Sequence, residues 1–259
     1  MTPFGDAGAR RPLRVLHTAD LHLDGDAYGD ATRLAAHRAQ ERRTFRLVID
    51  RALADEVDLV LIAGDLFDHN RVSDDSAAFV RAELARLRQP VVILPGNHDC
   101  LEPKGVHERH DFAAGAPHVR VIRRLDGEIV EFPELGAVVW GRGMQEHVHS
   151  FQPLAHVPSR PGGVWSIAMG HGFFFEERQK PDRSSPIFAD QIRDTGWDYV
   201  ALGHHHLQAN VSQPAPSDGR RGVAAWYAGS PATSGAGAPG TIIRVDFSAG
   251  GIRAEPRAL

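Results

Sequence analysis

Short apolar segments recur along this chain, and polar residues follow each of them directly. The segment 91–94 is a continuous run of branched apolar residues, which is typical of a strand buried on both faces of a sheet. Pro95 and Gly96 end it, because proline has no N–H for the ladder and glycine lets the backbone approach a neighbour closely. Each such segment therefore predicts a buried strand that ends at a polar cluster. The five segments of this design are 13–18, 58–63, 91–94, 164–169 and 197–202.

Two longer segments between these strands carry apolar residues at helical spacing. Residues 30–56 place Phe45 and Val48 on one apolar face, which predicts a long helix. Ser73 is suited to cap a second helix, which we expect to continue towards Pro90. The resulting order, βαβαβ, predicts parallel strands joined by right-handed crossovers.

The second half of the chain has a different pattern. Asp126 and Gly127 form a turn signal between short apolar segments, which predicts an antiparallel hairpin. Residues 173–175 are three successive phenylalanines, which we expect to anchor a loop, with a stacking surface for a base as the alternative. The predicted elements of this half are strands at 119–122, 128–132, 137–140, 223–228 and 241–247 and a helix at 186–193.

The polar residues that follow the five strands are carboxylates, an amide and imidazoles, all of which are metal-ligand types. Asp20 and His22 alternate with apolar residues, so an extended backbone would place both side chains on one face. Because ligands of open sheets gather at the carboxyl ends of strands, we expect one metal site. Oxygen and imidazole ligands without sulfur favour manganese, iron or zinc over calcium or magnesium. The candidate ligands are Asp20, His22, Asp65, Asn97, His171, His204 and His206.

This ligand set is too large for one tetrahedral ion and suits two divalent ions about 3.5–4 Å apart that share a carboxylate. Asp65 is the candidate for the shared ligand, and counting it twice gives both ions equal numbers of protein ligands. Two such cations acidify a water near neutral pH and neutralise charge on a phosphoryl group during attack. Hydrolysis of a phosphoester is therefore the reaction that the set fits best.

Other polar residues near the ligands have supporting roles or none. His98 lies outside the ligand set, so we expect it to contact the phosphate or to protonate the leaving oxygen. We expect Asp68 to hold His98 in its protonated form and Asp99 to orient a ligand histidine. His205 alternates away from its two histidine neighbours, and His147 belongs to a loop rich in proline and glycine, so neither is assigned a role.

Composition limits the classes of function. The chain has 259 residues, a formal charge of −4 and a pI near 6.4, which gives no global basic field for nonspecific binding of nucleic acid. Cys100 is the only cysteine, which excludes an internal disulfide framework and a thiolate-rich metal site. Residues 1–12 lack the apolar core of a signal peptide or membrane span. We expect a disordered N-terminus at 1–12, a single domain at 13–259, no membrane association and a cytoplasmic location.

Five ordered signatures in the chain resemble those of the calcineurin-like metallophosphoesterases, over residues 13–230. The resemblance implies an α/β fold that is a four-layer sandwich of two mixed β-sheets flanked by helices. It also implies a dinuclear centre, often loaded with Mn²⁺, and a histidine–aspartate pair formed by His98 and Asp68. The signatures are Asp20-x-His22, Gly64-Asp65-x-x-Asp68, Gly96-Asn97-His98-Asp99, Gly170-His171 and Gly203-His204-x-His206.

Within this superfamily, residues 17–23, 64–68 and 199–204 resemble the DNA repair exonuclease branch, the SbcD-type nuclease subunit. That resemblance implies a DNA substrate and an ATPase partner subunit. Some relatives carry histidine where Asp68 stands, and this chain departs from them but agrees with the wider superfamily. The chain also stops soon after the last signature strands, and we expect it to lack the DNA-capping and ATPase-binding regions of full-length nuclease subunits.

The leading hypothesis is a metal-dependent phosphodiesterase of nuclease type, and the enzyme alternative is a phosphoesterase for small nucleotides or phosphomonoesters. A third hypothesis is a catalytically silent adaptor that binds metal and holds a partner. The intact ligand set and His98 argue against the third. Any contact with DNA phosphates is expected from basic residues near the mouth of the site. The candidates for this contact are Arg71, Lys104, Arg109, Arg178 and Lys180.

Overall fold

The computed structural model describes residues 10–26, 30–178, 183–232 and 240–259. Within these residues the chain forms two six-stranded sheets and one two-stranded sheet. The strands are β1 (Leu13–Thr18), β2 (Leu59–Ala63), β3 (Val91–Leu94), β4 (Val119–Val121), β5 (Glu128–Phe132), β6 (Ala137–Gly141), β7 (Trp165–His171), β8 (Phe173–Phe175), β9 (Pro186–Phe188), β10 (Tyr199–Gly203), β11 (Ala209–Asn210), β12 (Ala224–Tyr227), β13 (Thr241–Ser248) and β14 (Gly251–Ala258). The helices are α1 (Ala31–Ala54), α2 (Asp74–Leu84), α3 (Val106–Arg109) and α4 (Ala189–Thr195), with a 3₁₀ turn at Pro133–Leu135.

The first sheet has the order β14-β13-β1-β2-β3-β4. Strands β1 to β4 are parallel, and α1 and α2 provide the crossovers, which confirms the predicted βαβαβ unit. β13 pairs antiparallel with β1, and β14 pairs antiparallel with β13. The side chain of Asp30 caps α1 by accepting the N–H of Arg33, and Ser73 caps α2 by accepting the N–H of Ser76.

The second sheet has the order β11-β12-β10-β7-β6-β5. Its four central strands are parallel, and β5 pairs antiparallel with β6. The predicted hairpin turn at Asp126 and Gly127 is wrong, because β4 before it lies in the first sheet and pairs in parallel with β3. The ligand-bearing strands β7 and β10 are neighbours in this sheet, and β1, β2 and β3 are neighbours in the first. Parallel neighbours end at the same edge, so each sheet brings its candidate ligands to one edge.

Three apolar clusters separate the layers of the fold. Phe45 of α1 packs in the first cluster, between the helices and the first sheet. Leu61 and Ile167 belong to the second cluster, between the two sheets. Ile192 of α4 and Val200 of β10 belong to the third, on the outer face of the second sheet. Both sheets are therefore covered on both faces, which confirms the predicted four-layer sandwich of two mixed sheets flanked by helices.

Several predictions for the second half were wrong in detail. Phe173–Phe175 form strand β8, which was not predicted, because they pair in parallel with Pro186–Phe188. Phe174 packs against the third apolar cluster, which agrees with an anchoring role. The pairing with Pro186–Phe188 also delays the predicted helix at 186–193, which begins at Ala189 as α4. β11 and β14 were not predicted, since β11 has two residues and β14 is a charged edge strand without a continuous apolar face.

The prediction of a disordered N-terminus covers residues 1–12, of which the structure describes residues 10–12. Residues 1–9 lie outside the described residues. Directly after them, Arg10 forms an ion pair with Asp198 at 3.0 Å and Arg11 forms one with Asp58 at 2.7 Å. Among the helices that the structure describes, none combines the length and the apolar character that a membrane crossing requires.

Candidate metal centre

The loops that follow β1 and β2 are joined by backbone hydrogen bonds. The N–H of Asp20 donates to the carbonyl oxygen of Gly64 at 3.1 Å. The N–H groups of Leu21 and His22 both donate to the carbonyl oxygen of Asp65, at 2.8 and 3.0 Å. Three candidate ligands therefore have their spacing set by the backbone itself.

Four candidate ligands have left-handed backbone conformations. The φ angles are 54° at Asp20, 49° at His22, 51° at Asp65 and 99° at His204. Residues other than glycine rarely adopt this region, and such conformations concentrate at functional sites, where the surrounding structure holds them. The sequence pattern suggested that Asp20 and His22 share a face through an extended backbone. The structure instead brings their side chains together by a left-handed turn.

A first group of donors contains Asp20, His22 and His206, whose ligand atoms all lie within 4.8 Å of one another. Nε2 of His22 lies 3.2 Å from Nε2 of His206. Carboxylate oxygen and imidazole nitrogen at these separations are placed to bind a single cation.

A second group contains Asp65, His171 and His204, whose ligand atoms also lie within 4.8 Å of one another. The amide oxygen of Asn97 joins this group, because it lies 3.0 Å from Nε2 of His171 and 2.8 Å from Nδ1 of His204. The structure therefore brings the predicted amide ligand between two imidazoles.

Asp65 lies between the two groups. Its Oδ2 is 3.8 Å from Nε2 of His22 in the first group and 3.2 Å from Nε2 of His171 in the second. Its Oδ1 accepts the N–H of His98 at 2.9 Å, which holds the carboxylate in place. The structure thus brings all seven predicted ligands together, and Asp65 has the position expected of a shared ligand.

Two ligand histidines have their rings oriented by hydrogen bonds at Nδ1. Nδ1 of His171 lies 2.9 Å from the carbonyl oxygen of Ala63, and Nδ1 of His22 lies 2.9 Å from Oδ1 of Asp68. A carbonyl or carboxylate oxygen only accepts, so Nδ1 carries the proton in both rings. Nε2 is therefore directed into the site, as is usual for histidines that ligate metals.

Two glycines of the signatures are required by close packing. A Cβ at Gly96 would collide with the carboxylate of Asp65. A Cβ at Gly64, which also has a φ of 97°, would collide with the ring of His171. Both positions therefore exclude any side chain, because a larger residue would displace a candidate ligand.

Electrostatic coupling in the site centres on one ion pair. Burial alone would lower the pKa of His171, but the neighbouring Asp65 carboxylate raises it to about 9. Burial alone would raise the pKa of Asp65, but His171 keeps it well below the usual value. Burial raises the pKa of Asp20 to about 6 and lowers the pKa of His204 to about 3. A cation that binds here must therefore displace a proton from His171.

His98 lies at the exposed side of the site, with 42% of its side chain accessible. Its Nδ1 lies 2.7 Å from the backbone oxygen of Asp68 and 3.6 Å from Oδ1 of that residue. The carboxylate of Asp68 is closer to His22, at 2.9 Å. Asp68 therefore contacts both His98 and a ligand histidine, whereas the sequence suggested a partner for His98 alone.

Asp99 has different partners from those expected. Its Oδ1 accepts the N–H of Gly96 at 2.7 Å, and its Oδ2 accepts the N–H groups of Leu66 and Phe67 at 3.1 and 3.3 Å. The histidine nearest to this carboxylate is the buried His107, at 3.3 Å, which is not a candidate ligand. Asp99 therefore ties the loop after β3 to the loop after β2, and it does not orient a ligand histidine.

Two further side chains lie beside the ligands: His147, which was assigned no role from the sequence, and Phe173, which was expected to be a loop anchor or a stacking surface. The ring of His147 lies 5.3 Å from the ring of His204, and the ring of Phe173 lies 4.2 Å from it. Burial and the neighbouring His171 lower the pKa of His147. His147 belongs to the segment between β6 and β7. It does not directly follow a strand, and no spacing distinguishes it from the other loop histidines.

The basic residues expected near the mouth differ in their surroundings. The guanidinium of Arg109 donates to the backbone oxygen of Asn70 at 2.9 Å, so it supports that loop. Arg178 forms an ion pair with Asp190. Lys180 lies outside the described residues.

The donors of the site fit divalent metal ions. Carboxylate, amide and imidazole atoms converge here, and His22 and His171 both present Nε2. These are the ligand types that manganese, iron and zinc accept. The residues that would hold such ions are Asp20, His22, Asp65 and His206 for one and Asp65, Asn97, His171 and His204 for the other.

Comparisons with known proteins agree with this site. A profile of the calcineurin-like phosphoesterase family matches residues 13–208. The uncharacterized metallophosphoesterase YhaO of Bacillus subtilis is 28% identical over 220 residues, which are 79% of this chain and 51% of that protein. A subunit of the nuclease SbcCD from Rhodobacter capsulatus is 36% identical over 92 residues, which are 34% of this chain and 22% of that protein. The aligned part of this chain thus spans about half the length of YhaO and less of the SbcCD protein.

A solved structure shows the same fold. TT1561 of Thermus thermophilus superimposes with a TM-score of 0.58, at 13% identity, over 95% of this chain and 99% of that one. The segment matched by the family profile extends from β1 to beyond His206, so it contains every candidate ligand. The resemblance inferred from the five signatures is confirmed, and the chain belongs to the calcineurin-like phosphoesterase family of metal-dependent hydrolases.

Proposed function

We propose that this chain hydrolyses phosphodiester bonds with a dinuclear metal centre, as a nuclease-like enzyme. The observation that carries the proposal is the position of Asp65, whose Oδ2 lies 3.8 Å from His22 and 3.2 Å from His171, one residue from each donor group. Two ions that share a carboxylate are the usual arrangement for in-line displacement at phosphorus.

Manganese is the ion we propose, with iron or zinc as alternatives. The site offers imidazole nitrogen together with carboxylate and amide oxygen, which suits these ions better than calcium or magnesium. When bound, the ions would provide a nucleophile from water and neutralise charge on the phosphoryl group.

His98 is the proposed general acid. Its Nδ1–H donates to the backbone oxygen of Asp68, which leaves Nε2 for a substrate oxygen. Its side chain is 42% exposed, whereas those of Asp65 and His171 are almost fully buried. His98 therefore meets an incoming phosphate from the solvent side and is placed to give a proton to the leaving oxygen. Asp68 positions this acid through its backbone oxygen, while its carboxylate orients His22 and lies 3.6 Å from Nδ1 of His98.

The nuclease part of the proposal rests on relatives. The similarity to the SbcCD nuclease supports a nucleic acid as the substrate, and the sequence resemblance implies DNA. Because that relative is one subunit of a larger nuclease, the similarity also supports a partner chain. An ATPase partner stays a prediction of the sequence resemblance, as do exonuclease action and the cytoplasmic location.

A phosphodiesterase for small nucleotides is the second candidate, and a pocket beside the metal centre favours it. The pocket has a volume of about 160 Å³. Apolar cavities of about 150 Å³ hold one benzene ring, so this pocket suits a single aromatic group such as a pyrimidine base. Phe173 connects the pocket to the centre, because its ring lies 4.2 Å from that of His204. The lining residues are Phe173, Phe174, His205, Ala209, Val211 and Tyr227.

A substrate panel tests the proposal and separates the two candidates. The manganese-loaded protein would be assayed on linear DNA, a cyclic nucleotide, a generic aryl diester and the matching monoester. We expect the diester to have a kcat/KM higher than that of the monoester by about tenfold or more. DNA cleavage faster than cyclic-nucleotide hydrolysis supports the nuclease, and the reverse order supports the second candidate.

Matched variants show whether the assigned site performs the reaction. Asp65→Asn should abolish hydrolysis of every substrate in the panel. His149→Ala changes an exposed histidine of the segment before β7 and should leave all rates unchanged. A monoester preference of about tenfold or more would contradict the nuclease-like assignment and would favour the phosphoesterase for small nucleotides or phosphomonoesters.

A further inference from the structure

A second cleft lies at the opposite end of the second sheet. It has a volume of about 680 Å³ and is formed where β7, β10 and β12 begin, near Trp165, Asp198 and Ala224. The candidate ligands lie at the other ends of the same strands, since His171 ends β7 and His204 follows β10. Seven residues of β7 at about 3.3 Å each separate the two ends by roughly 20 Å. The cleft is therefore distinct from the metal centre.

The cleft contains three arginines around one carboxylate. Arg10 and Arg160 approach Oδ2 of Asp198 at 3.0 and 2.9 Å. Arg221 approaches Oδ1 at 2.8 Å. Asp198 is the only acidic residue among those described residues that line the cleft. One carboxylate balances one guanidinium, so the cleft keeps a surplus of two positive charges.

The carboxylate of Asp198 is fully committed to the protein. Its side chain is 1% exposed, and Oδ2 accepts the N–H and the hydroxyl of Ser166 at 3.0 and 2.9 Å. Burial alone would raise the pKa of Asp198, but Arg160 and Ser166 keep it below the usual value. Asp198 therefore remains ionised and holds the three arginines in place.

The three guanidinium groups are held in place but remain accessible. Arg10 stacks 3.6 Å above the ring of Trp165. Side-chain exposure is 24% for Arg10, 23% for Arg160 and 53% for Arg221. Each guanidinium has five N–H donors in one plane. Among the described residues, Arg160 and Arg221 each donate from one nitrogen, and only to Asp198. Arg10 also donates from one nitrogen, to Asp198 and to the carbonyl oxygen of Val164. Nε of Arg160 is buried without an acceptor in the described part of the chain, and the other unpaired donors of the three side chains are available to a ligand.

The charge of a neighbouring arginine, Arg220, is balanced by carboxylates. Arg220 precedes Arg221 in the sequence but lies outside the cleft lining. It is paired with two carboxylates, Asp194 at 2.8 Å and Asp218 at 2.9 Å. The surplus of positive charge is therefore a property of the cleft and not of this part of the chain in general.

We propose that the cleft binds a small organic phosphate monoester, about the size of a mononucleotide. Guanidinium groups recognise phosphate oxygens through paired hydrogen bonds, and a monoester carries about −1.5 to −2 charges, which matches the surplus. A volume of 680 Å³ falls within the usual range of about 300–1,000 Å³ for ligand pockets. Ala224 and Ile252 provide apolar wall for the organic part.

Equilibrium dialysis of the manganese-loaded protein with labelled inorganic phosphate and labelled AMP tests this site. The double variant Arg160→Gln/Arg221→Gln should lose one class of binding site for both probes. Each arginine that is removed should weaken affinity by about tenfold, the usual effect of a charge-assisted hydrogen bond. Unlabelled adenosine should not compete, because it lacks the phosphate.

Controls separate loss of the site from loss of the fold. Arg220→Gln removes a neighbouring charge and should retain both classes of site. Arg221→Gln alone changes a half-exposed side chain and should still weaken binding in the cleft by about tenfold while thermal unfolding stays unchanged. Wild-type affinity and site number in both Arg221 variants would overturn the proposal, as would competition by adenosine equal to that by AMP.

Discussion

Strands β7 and β10 carry opposite chemistry at their two ends. At the carboxyl ends, His171 and His204 join short carboxylate and amide side chains held on loops with left-handed residues. At the amino ends, long arginine side chains from distant parts of the chain converge on Asp198. The carboxyl end is positioned by the backbone and the amino end by side chains. We therefore expect substitutions at the carboxyl ends to abolish hydrolysis. Substitutions at the amino ends should weaken ligand binding in the cleft stepwise.

Metal removal should have the largest effect and should act at the carboxyl end alone. Exhaustive chelation should lower diester hydrolysis by about 10³-fold or more, since metal ions contribute several kcal/mol to the transition state. Manganese should restore the rate better than calcium, because imidazole ligands do not suit calcium. Full activity in protein shown by elemental analysis to be metal-free would contradict the metal-dependent site.

His98→Ala should have the next largest effect, because it removes the proposed acid while leaving every ligand in place. Turnover should fall by about 10²–10⁴-fold, the range for a positioned acid or base, with metal content nearly unchanged. Asp68→Asn should lower turnover less. The double variant should cost less than the product of the single effects, since residues that act as a unit are not additive. Losses of turnover that multiply fully in the double variant would rule out a functional pair of His98 and Asp68.

The pH dependence of metal binding follows from the ion pair between Asp65 and His171. His171 has a pKa of about 9 in the protein without metal, so it is protonated at neutral pH and must lose that proton to bind a cation. Manganese affinity should therefore rise by up to about tenfold per pH unit between about pH 7 and 9. Below about pH 6 the slope should steepen, because Asp20 also becomes protonated there. Isothermal titration at several pH values measures this, and a flat profile above pH 7 would contradict it.

Changes in the arginine cleft should have the smallest effect on hydrolysis. Arg160→Gln lies at the far end of β7 and touches no candidate ligand. The kcat/KM for a small diester should stay within about twofold of wild type, as expected for distant and independent sites. Kinetics on matched preparations of Arg160→Gln and Arg220→Gln would check this. A large loss in Arg160→Gln alone would mean that the two ends are energetically coupled.

The features predicted correctly from the sequence are mainly those that follow from apolar strands with polar residues at their ends. Asp65 and Asn97 each follow a buried apolar strand of the first sheet, and the rule that parallel strands end at one edge was enough to bring them together. His171 ends β7 in the second sheet, and the packing of the two sheets brings it to them. Their roles as ligands stay predictions. The left-handed turn that joins Asp20 to His22 was not anticipated, because the residue pattern is compatible with an extended strand.

Long-range contacts explain what the sequence could not predict. The partners of Asp99 are backbone N–H groups more than thirty residues away as well as a neighbouring glycine. His147 reaches His204 through a segment without regular spacing. Strand β8 forms because Pro186–Phe188 lie beside it, and local propensity does not determine that pairing. In each case the tertiary structure, and not the local pattern, determines the outcome.

The metal content of wild type and Asp65→Asn is the most direct test of a shared ligand. Asp65 stands 3.8 Å from His22 and 3.2 Å from His171, so the loss of its charge should weaken both groups together. Elemental analysis after equilibration with manganese should give two ions per chain for wild type and a loss of both for Asp65→Asn, with His149→Ala retaining two. Two ions per chain in Asp65→Asn, or one ion in wild type at saturation, would contradict a dinuclear centre bridged by Asp65.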